Sequence, residues 1–124
     1  MSGNGHQIVL HPIGRVVHRG DESSGIIEVL PEFAEALDGV EEHEHLWVLF
    51  WMHELTAEDR PLLRVHPRGD QSRPQRGVFA LHSPMRPNPI GMTRVRLVAR
   101  EGNRLIVEDL DALDGSPVID LKSG

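Results

Sequence analysis

Apolar residues in this chain come in short runs, and its clearest periodicity is the two-residue repeat of strands rather than the 3.6-residue repeat of helices. TRVRLVARE at 93–101 alternates polar and apolar side chains, and RLIVEDL at 104–110 follows across Gly102-Asn103 as its hairpin partner. QIVLHPIGRVVH at 7–18 is rich in β-branched residues and predicts a strand kinked near Pro12 and Gly14. A polar turn, RGDESS at 19–24, separates it from a second short strand, GIIEVL at 25–30. HLWVLFWMH at 45–53 is almost continuously apolar and predicts a strand buried on both faces at the centre of the core. GVFALH at 77–82 and PVIDL at 117–121 predict further strands. PEFAEALDGV at 31–40 is the helical exception: Pro31 suits a helix start, Phe33, Ala34 and Leu37 share a face, and Gly39 can close it after about two turns. Six or seven short strands with one or two short helices, without regular alternation, predict a mainly β single domain over residues 1–124. Its architecture is a small closed or nearly closed antiparallel-rich barrel.

Composition narrows the class. With 124 residues, 39% hydrophobic and 26% charged, the chain is sized for one packed core and is too apolar to be disordered. Cysteine is absent, which removes disulfides, thiolate metal clusters and cysteine nucleophiles. No apolar run approaches the roughly 20 residues of a membrane span, and MSGNGHQIVL lacks the pattern of a signal peptide, so a cytoplasmic protein with no membrane partner is expected. The net charge of -6 conceals an uneven distribution: residues 1–59 hold 2 Arg against 12 acids, residues 60–104 hold 10 Arg against 2 acids, and residues 105–124 hold Lys122 against 5 acids. An Arg-rich middle can present a local basic face to phosphates, or its arginines can pair with the acids on either side.

Three segments hold candidate chemistry. HSPMRPNPIGM at 82–92 has three prolines, which fix φ and hold Arg86 and Asn88 with little entropy left to lose on binding; a rigid loop without a ligand has the same composition. In LDALDGSPVIDLK at 110–122, Asp111, Asp114, Asp120 and Lys122 surround an Asp-Gly turn, where carboxylates can accept hydrogen bonds from ribose or amine groups; solvated turn acids are the commoner case. ELTAEDRPLLRVHPRGDQSRPQR at 54–76 is mostly loop and cationic, with LLRVH its one strand-like stretch. His43, His45 and His53, with Glu41, have the residue types of a metal site, but the acid-rich EEHEH reads more simply as a solvated approach to a strand, and no metal is expected.

HLWVLFWMH, RGVFALHSPMRPNPIGMTRVRL and LDALDGSPVIDLK, in this order and spacing, resemble the signature blocks of the TrmO/TsaA-like family, as do IGRVVH and EFAEALDGVEEHEH. The resemblance runs from about residue 8 to residue 122. It implies a β-barrel S-adenosyl-L-methionine-dependent methyltransferase, a homodimer, with tRNA as substrate: family members methylate N6 of threonylcarbamoyladenosine beside the anticodon. Position by position, it implies cofactor contacts for His53 and Glu54 at the end of the apolar strand, for His82 and Met92 flanking the RPNPIG motif, and for Leu110, Asp111, Ala112 and Leu113 around adenosine. It gives Arg86, Asn88 and Asp114 to the methyl-transfer site; by side-chain chemistry rather than by resemblance, Asp114 or His53 is the candidate proton acceptor. Lys122 and, for an RNA substrate, Arg64, Arg68, Arg73 and Arg76 fall to the acceptor. His82 stands where the family usually has Arg, and RGDESS is shorter than the family's Pro-Arg-Gln cofactor loop. A paralogue acting on a small molecule or other acceptor, and a non-catalytic module binding S-adenosylmethionine or a nucleotide, are the alternative readings.

Overall fold

The computed structural model describes residues 6–18, 24–53 and 62–124. Its strands are β1 (Gly14–Val17), β2 (Gly25–Val29), β3 (His45–Trp51), β4 (Arg64–Val65), β5 (Arg76–Gly77), β6 (Ile90–Glu101), β7 (Arg104–Glu108) and β8 (Pro117–Ser123). Six of them close a barrel in the order β1-β2-β7-β6-β3-β8, while β4 and β5 form a separate two-stranded sheet. Every pairing is antiparallel.

Closure depends on β6. Its first half pairs with β3 and its second half with β7, and a register shift between Leu97 and Ala99 bends it from one neighbour to the other. The β6–β7 connection is the two-residue turn Gly102-Asn103; Asn103 also donates its side-chain amide to the Val29 carbonyl at 2.6 Å, tying the turn to the end of β2. Alternation then fills the interior: Val16, Ile27, Val29, Leu46, Val48, Phe50, Val95, Leu105, Val107 and Val118 form one buried cluster, and Leu37 and Leu110 join it from the loops at opposite ends.

The mainly β closed barrel is the predicted architecture, and several elements differ in detail. The strand expected over 7–18 forms only at Gly14–Val17, with Ile8 and Val9 strongly exposed; Pro12 has no N–H to offer β8 and the chain departs there. β3 buries Leu46, Val48 and Phe50 and leaves Trp47, Leu49 and Trp51 half-buried, so its apolar run has one core face and one partly covered face rather than two buried ones. The stretch 77–82 turns out of β5 into a 3-10 turn, Val78–Ala80. The helix is a 3-10 helix, Pro31–Leu37; it is short, Leu37 is buried in the core and Phe33 packs against it as expected, and Ala34 is half-buried.

The charge asymmetry resolves residue by residue. Arg96, Arg100 and Arg104 of the β6–β7 hairpin pair with Glu108, Glu41 and Glu28, whereas Arg68 and Arg76 form no ion pair among the described residues. Arg100 also donates to the Leu37 and Gly102 carbonyls, so it joins the 3-10 helix to the hairpin. The hydrogen bond from Arg100, reinforced by its charge, holds the Glu41 carboxyl below its ordinary value. A lowered carboxylate pKa contributes stability above the unfolded-state value and loses it as pH falls. Glu41→Gln is therefore expected to melt slightly below the wild type at neutral pH, with the gap closing below about pH 4.5; thermal melts across that range check it.

Candidate functional site

Because neighbouring strands run antiparallel, β1, β3 and β7 end where β6 and β8 begin, and at this end of the barrel lies a cavity of about 1050 Å³. Its floor is the end of the core, Phe50 and Leu110; its walls are the 110–116 loop between β7 and β8 and the 79–88 stretch before β6. The volume is that of a site for a drug-sized or larger ligand.

The 110–116 loop is fixed at several points. Asp109, with φ 66°, turns the chain out of β7 in the left-handed region that Asp tolerates better than most residues. The buried Thr93 hydroxyl donates to the Asp109 carbonyl and accepts the Asp111 N–H, each at 3.3 Å. The N–H of His18 donates to Asp114 Oδ1 and its ring Nε2 donates to the Leu110 carbonyl, both at 2.9 Å. A carbonyl only accepts, so the imidazole proton lies on Nε2, and the buried Nδ1 has no partner among the described residues. Gly115 N–H donates to Val16 and the Ser116 hydroxyl to Leu113. Such a loop meets a ligand already ordered.

The opposite wall is organised by Arg86. Its guanidinium donates from Nη1 to the carbonyls of Leu81 and Ser83 and from Nη2 to that of Val78, all at 3.1 Å, the Val78 carbonyl also accepting the Leu81 N–H of the 3-10 turn. Pro89 is buried, and its carbonyl accepts the Met52 N–H at 2.8 Å, pinning the loop to the end of β3. Gly91 lies directly opposite Phe50, whose ring occupies the space a side chain would need. Gly91→Ala is expected to displace that ring, to destabilise by about 1–3 kcal/mol, and to narrow the cavity; chemical denaturation of Gly91→Ala, Phe50→Leu and the double variant should show the two changes coupled.

The cavity gathers Arg86, Asn88, Asp114, His82, Met92, Leu110, Asp111, Ala112 and Leu113 from the sequence-derived set. It does not gather the rest. His53 is exposed in a turn just beyond β3 while Met52 lines the wall, and Glu54 lies outside the described residues, as do positions 19–23 of RGDESS. Lys122 sits at the other end of the barrel near Asp120. Arg64, Arg68, Arg73 and Arg76 belong to the β4–β5 hairpin and its connection, away from the cavity lining. Within that connection the Ser72 hydroxyl and N–H hold Asp70 ionised below its usual value, and Arg73 lies 3.6 Å from it. No three His, Asp or Glu side chains converge on a metal-binding arrangement among the described residues. No helix there is long and apolar enough to cross a membrane.

Sequence reasoning passed over His18, Thr93, Phe79 and Gly91. His18 was findable as the polar residue that ends an apolar strand at a barrel rim. The other three had no one-dimensional signal, because their roles depend on neighbours from other strands.

A site with an apolar wall of Phe50, Met92, Leu110 and Ala112, the carboxylates of Asp111 and Asp114, and Arg86 committed to backbone carbonyls suits a ligand with an apolar planar part and hydroxyl, ammonium or other cationic groups. The donor set thus fits S-adenosylmethionine: Leu110 and Ala112 would hold its ring and Asp111 its polar groups.

Fold and site define a small antiparallel β-barrel protein with its ligand cavity between two ordered loops at one end, an architecture distinct from the parallel nucleotide-binding sheets. More particularly, the chain belongs to the family of the tRNA-methyltransferase O N-terminal domain, which it matches over residues 12–123. It is 41% identical over 114 residues to a probable S-adenosyl-L-methionine-binding protein of Methanocaldococcus jannaschii, covering 91% of this chain and 89% of the relative. It is 48% identical over 96 residues to an S-adenosyl-L-methionine-binding protein of Archaeoglobus fulgidus, covering 77% of this chain and 66% of the relative. The crystal structure of TrmO from Pseudomonas aeruginosa superposes with a TM-score of 0.77 at 31% identity, covering 98% of this chain and 57% of that one. The chain therefore spans little more than half of the bacterial structure and nearly the full length of the Methanocaldococcus relative.

Proposed function

We propose that this protein binds S-adenosyl-L-methionine in the cavity between the 79–88 and 110–116 loops and transfers its methyl group, with N6 of threonylcarbamoyladenosine in tRNA as the acceptor. The observation that carries the reading is the convergence of the RPNPIG and LDALDG segments on one cavity of cofactor size. When bound, the cofactor supplies a methyl group on a cationic sulfur. The chain's own task is chiefly positioning: a nitrogen held in line with that carbon gains much of its rate from orientation alone. Nitrogen–carbon bond formation and carbon–sulfur cleavage leave S-adenosylhomocysteine and one proton. Asp114 is the proposed acceptor of that proton: Oδ1 is engaged by the His18 N–H, and Oδ2 has no partner among the described residues. Asn88 faces the same cavity as a group for the acceptor. Arg86 acts here as a positioning residue, its guanidinium holding the wall rather than meeting substrate.

The same reading has the protein act in the cytoplasm as a homodimer, and it assigns the β4–β5 arginines to tRNA phosphates. Transfer of labelled methyl from S-adenosylmethionine to tRNA tests it; label recovered in the N6-methylated nucleoside supports it, and none with tRNA that carries the threonylcarbamoyl group refutes it. The second reading, a non-catalytic S-adenosylmethionine-binding module, is favoured by the position of Arg86 on backbone carbonyls, and would show cofactor binding without turnover on any acceptor.

A further inference from the structure

Phe79 lines the cavity yet is 80% exposed in the single chain, a conspicuous placement in a protein with 3 Phe, 2 Trp and no Tyr. No described residue buries the ring; the backbone beneath it is what sets its position. Val78 is buried and its N–H donates to the Leu63 carbonyl at 2.9 Å, while Arg86 holds the carbonyls of Val78 and Leu81 on either side of the turn. The Arg86 guanidinium carbon lies 6.0 Å from the ring centroid, at the edge of cation–π range. The ring is thus aimed by a rigid turn and left open to solvent, lining one cavity with the exposed apolar side chains of Ile90, Met92 and Leu113. Three residues before it stands Arg76 of β5, unpaired among the described residues, so a cationic strand runs directly into the turn that presents the ring.

We propose that Phe79 is the stacking platform for the acceptor, the residue that makes this site take a planar unpaired purine base rather than an aliphatic acceptor. The inference rests on the methyltransferase reading above. An exposed aromatic face with an apolar surround recovers stacking and desolvation only from a flat partner, and a base has two such faces. The carboxylates of Asp111 and Asp114 at the same cavity disfavour phosphates there, while the β5 arginine favours them outside it. A nucleotide chain entering base first satisfies both conditions.

The test uses the wild type, Phe79→Ala and Phe79→Trp. Calorimetric titration with S-adenosylhomocysteine comes first: a wild type that does not bind it defeats the cofactor reading, whatever Phe79 does. The second arm measures fluorescence anisotropy of a labelled seven-nucleotide single-stranded oligoadenylate RNA, with S-adenosylhomocysteine saturating. The expected result is RNA affinity about tenfold lower in Phe79→Ala, restored in Phe79→Trp, with cofactor affinity unchanged and with tryptophan emission quenched by RNA beyond the response of Trp47 and Trp51. With cofactor binding intact, absence of RNA binding by the wild type or equal RNA affinity in Phe79→Ala overturns the proposal. Cofactor affinity that falls in step would instead make the ring part of the cofactor wall, and a changed sedimentation mass would make it a contact between two copies; either result also overturns it.

Discussion

Arg86→Ala is expected to lower affinity for S-adenosylhomocysteine at least tenfold while leaving the barrel folded. Three backbone carbonyls, those of Val78, Leu81 and Ser83, lose charge-assisted donors at once. Part of that loss is recovered from water because the site is half-open, so the stability cost should be about 2–3 kcal/mol rather than the full sum of three such bonds. The larger consequence is local. Without the guanidinium, the 78–86 stretch has few remaining ties, and the cavity loses an ordered wall whose order is what a ligand would otherwise have to impose. Arg86→Lys should rescue little, since an ammonium cannot reproduce a planar fork reaching three acceptors. Calorimetry with thermal melts separates the two effects: a wall-forming arginine gives weaker binding in a folded protein, while a purely catalytic one would leave cofactor affinity untouched and lower only turnover.

Gly14→Ala should be the most damaging single methyl in the barrel. Gly14 pairs with Val29 on one side and with Val118 on the other, at the place where the first and last strands close the sheet. A Cβ there would run into the backbone carbonyl of Glu28, which cannot swing aside as a side chain end can. The β1–β2 ladder or the β1–β8 closure must open to admit it. Destabilisation of about 3 kcal/mol or more is expected, at the upper end for overpacking, lowering Tm by on the order of 10 °C. Gly77→Ala is the matched control: its nearest neighbour would lie 3.9 Å from the new methyl and its backbone is ordinary, so its Tm should barely move.

Much of this architecture was legible because a barrel writes its inward positions at every second residue. Alternation in 93–101 and 104–110 marked the hairpin, and its turn sits where Gly102-Asn103 put it. Legibility failed where local composition and pairing geometry diverge. Ile8 and Val9 read as strand by propensity, yet propensity describes fit to a neighbouring strand and none pairs with them past Pro12. GVFALH read as strand for the same reason, but Arg86 draws its carbonyls into a turn from several residues downstream. In the site, the residues carried by RPNPIG and LDALDG were findable as strings, and most of them line the cavity. The features that make those strings a site come from elsewhere in the chain: the double hold of His18, the Thr93 bridge, the ring of Phe50 over Gly91. Each depends on which strand neighbours which, information that barrel closure creates and one-dimensional spacing does not contain.

The most direct measurement is a calorimetric titration of the wild-type protein with S-adenosylhomocysteine at neutral pH, repeated with Leu110→Asp, which places a charge in the cavity floor. Saturable binding near one site per chain, lost in Leu110→Asp while that variant remains folded by circular dichroism, is the predicted result. Absence of binding by the wild type, or binding that Leu110→Asp leaves unchanged, would contradict the placement of the cofactor between the two loops.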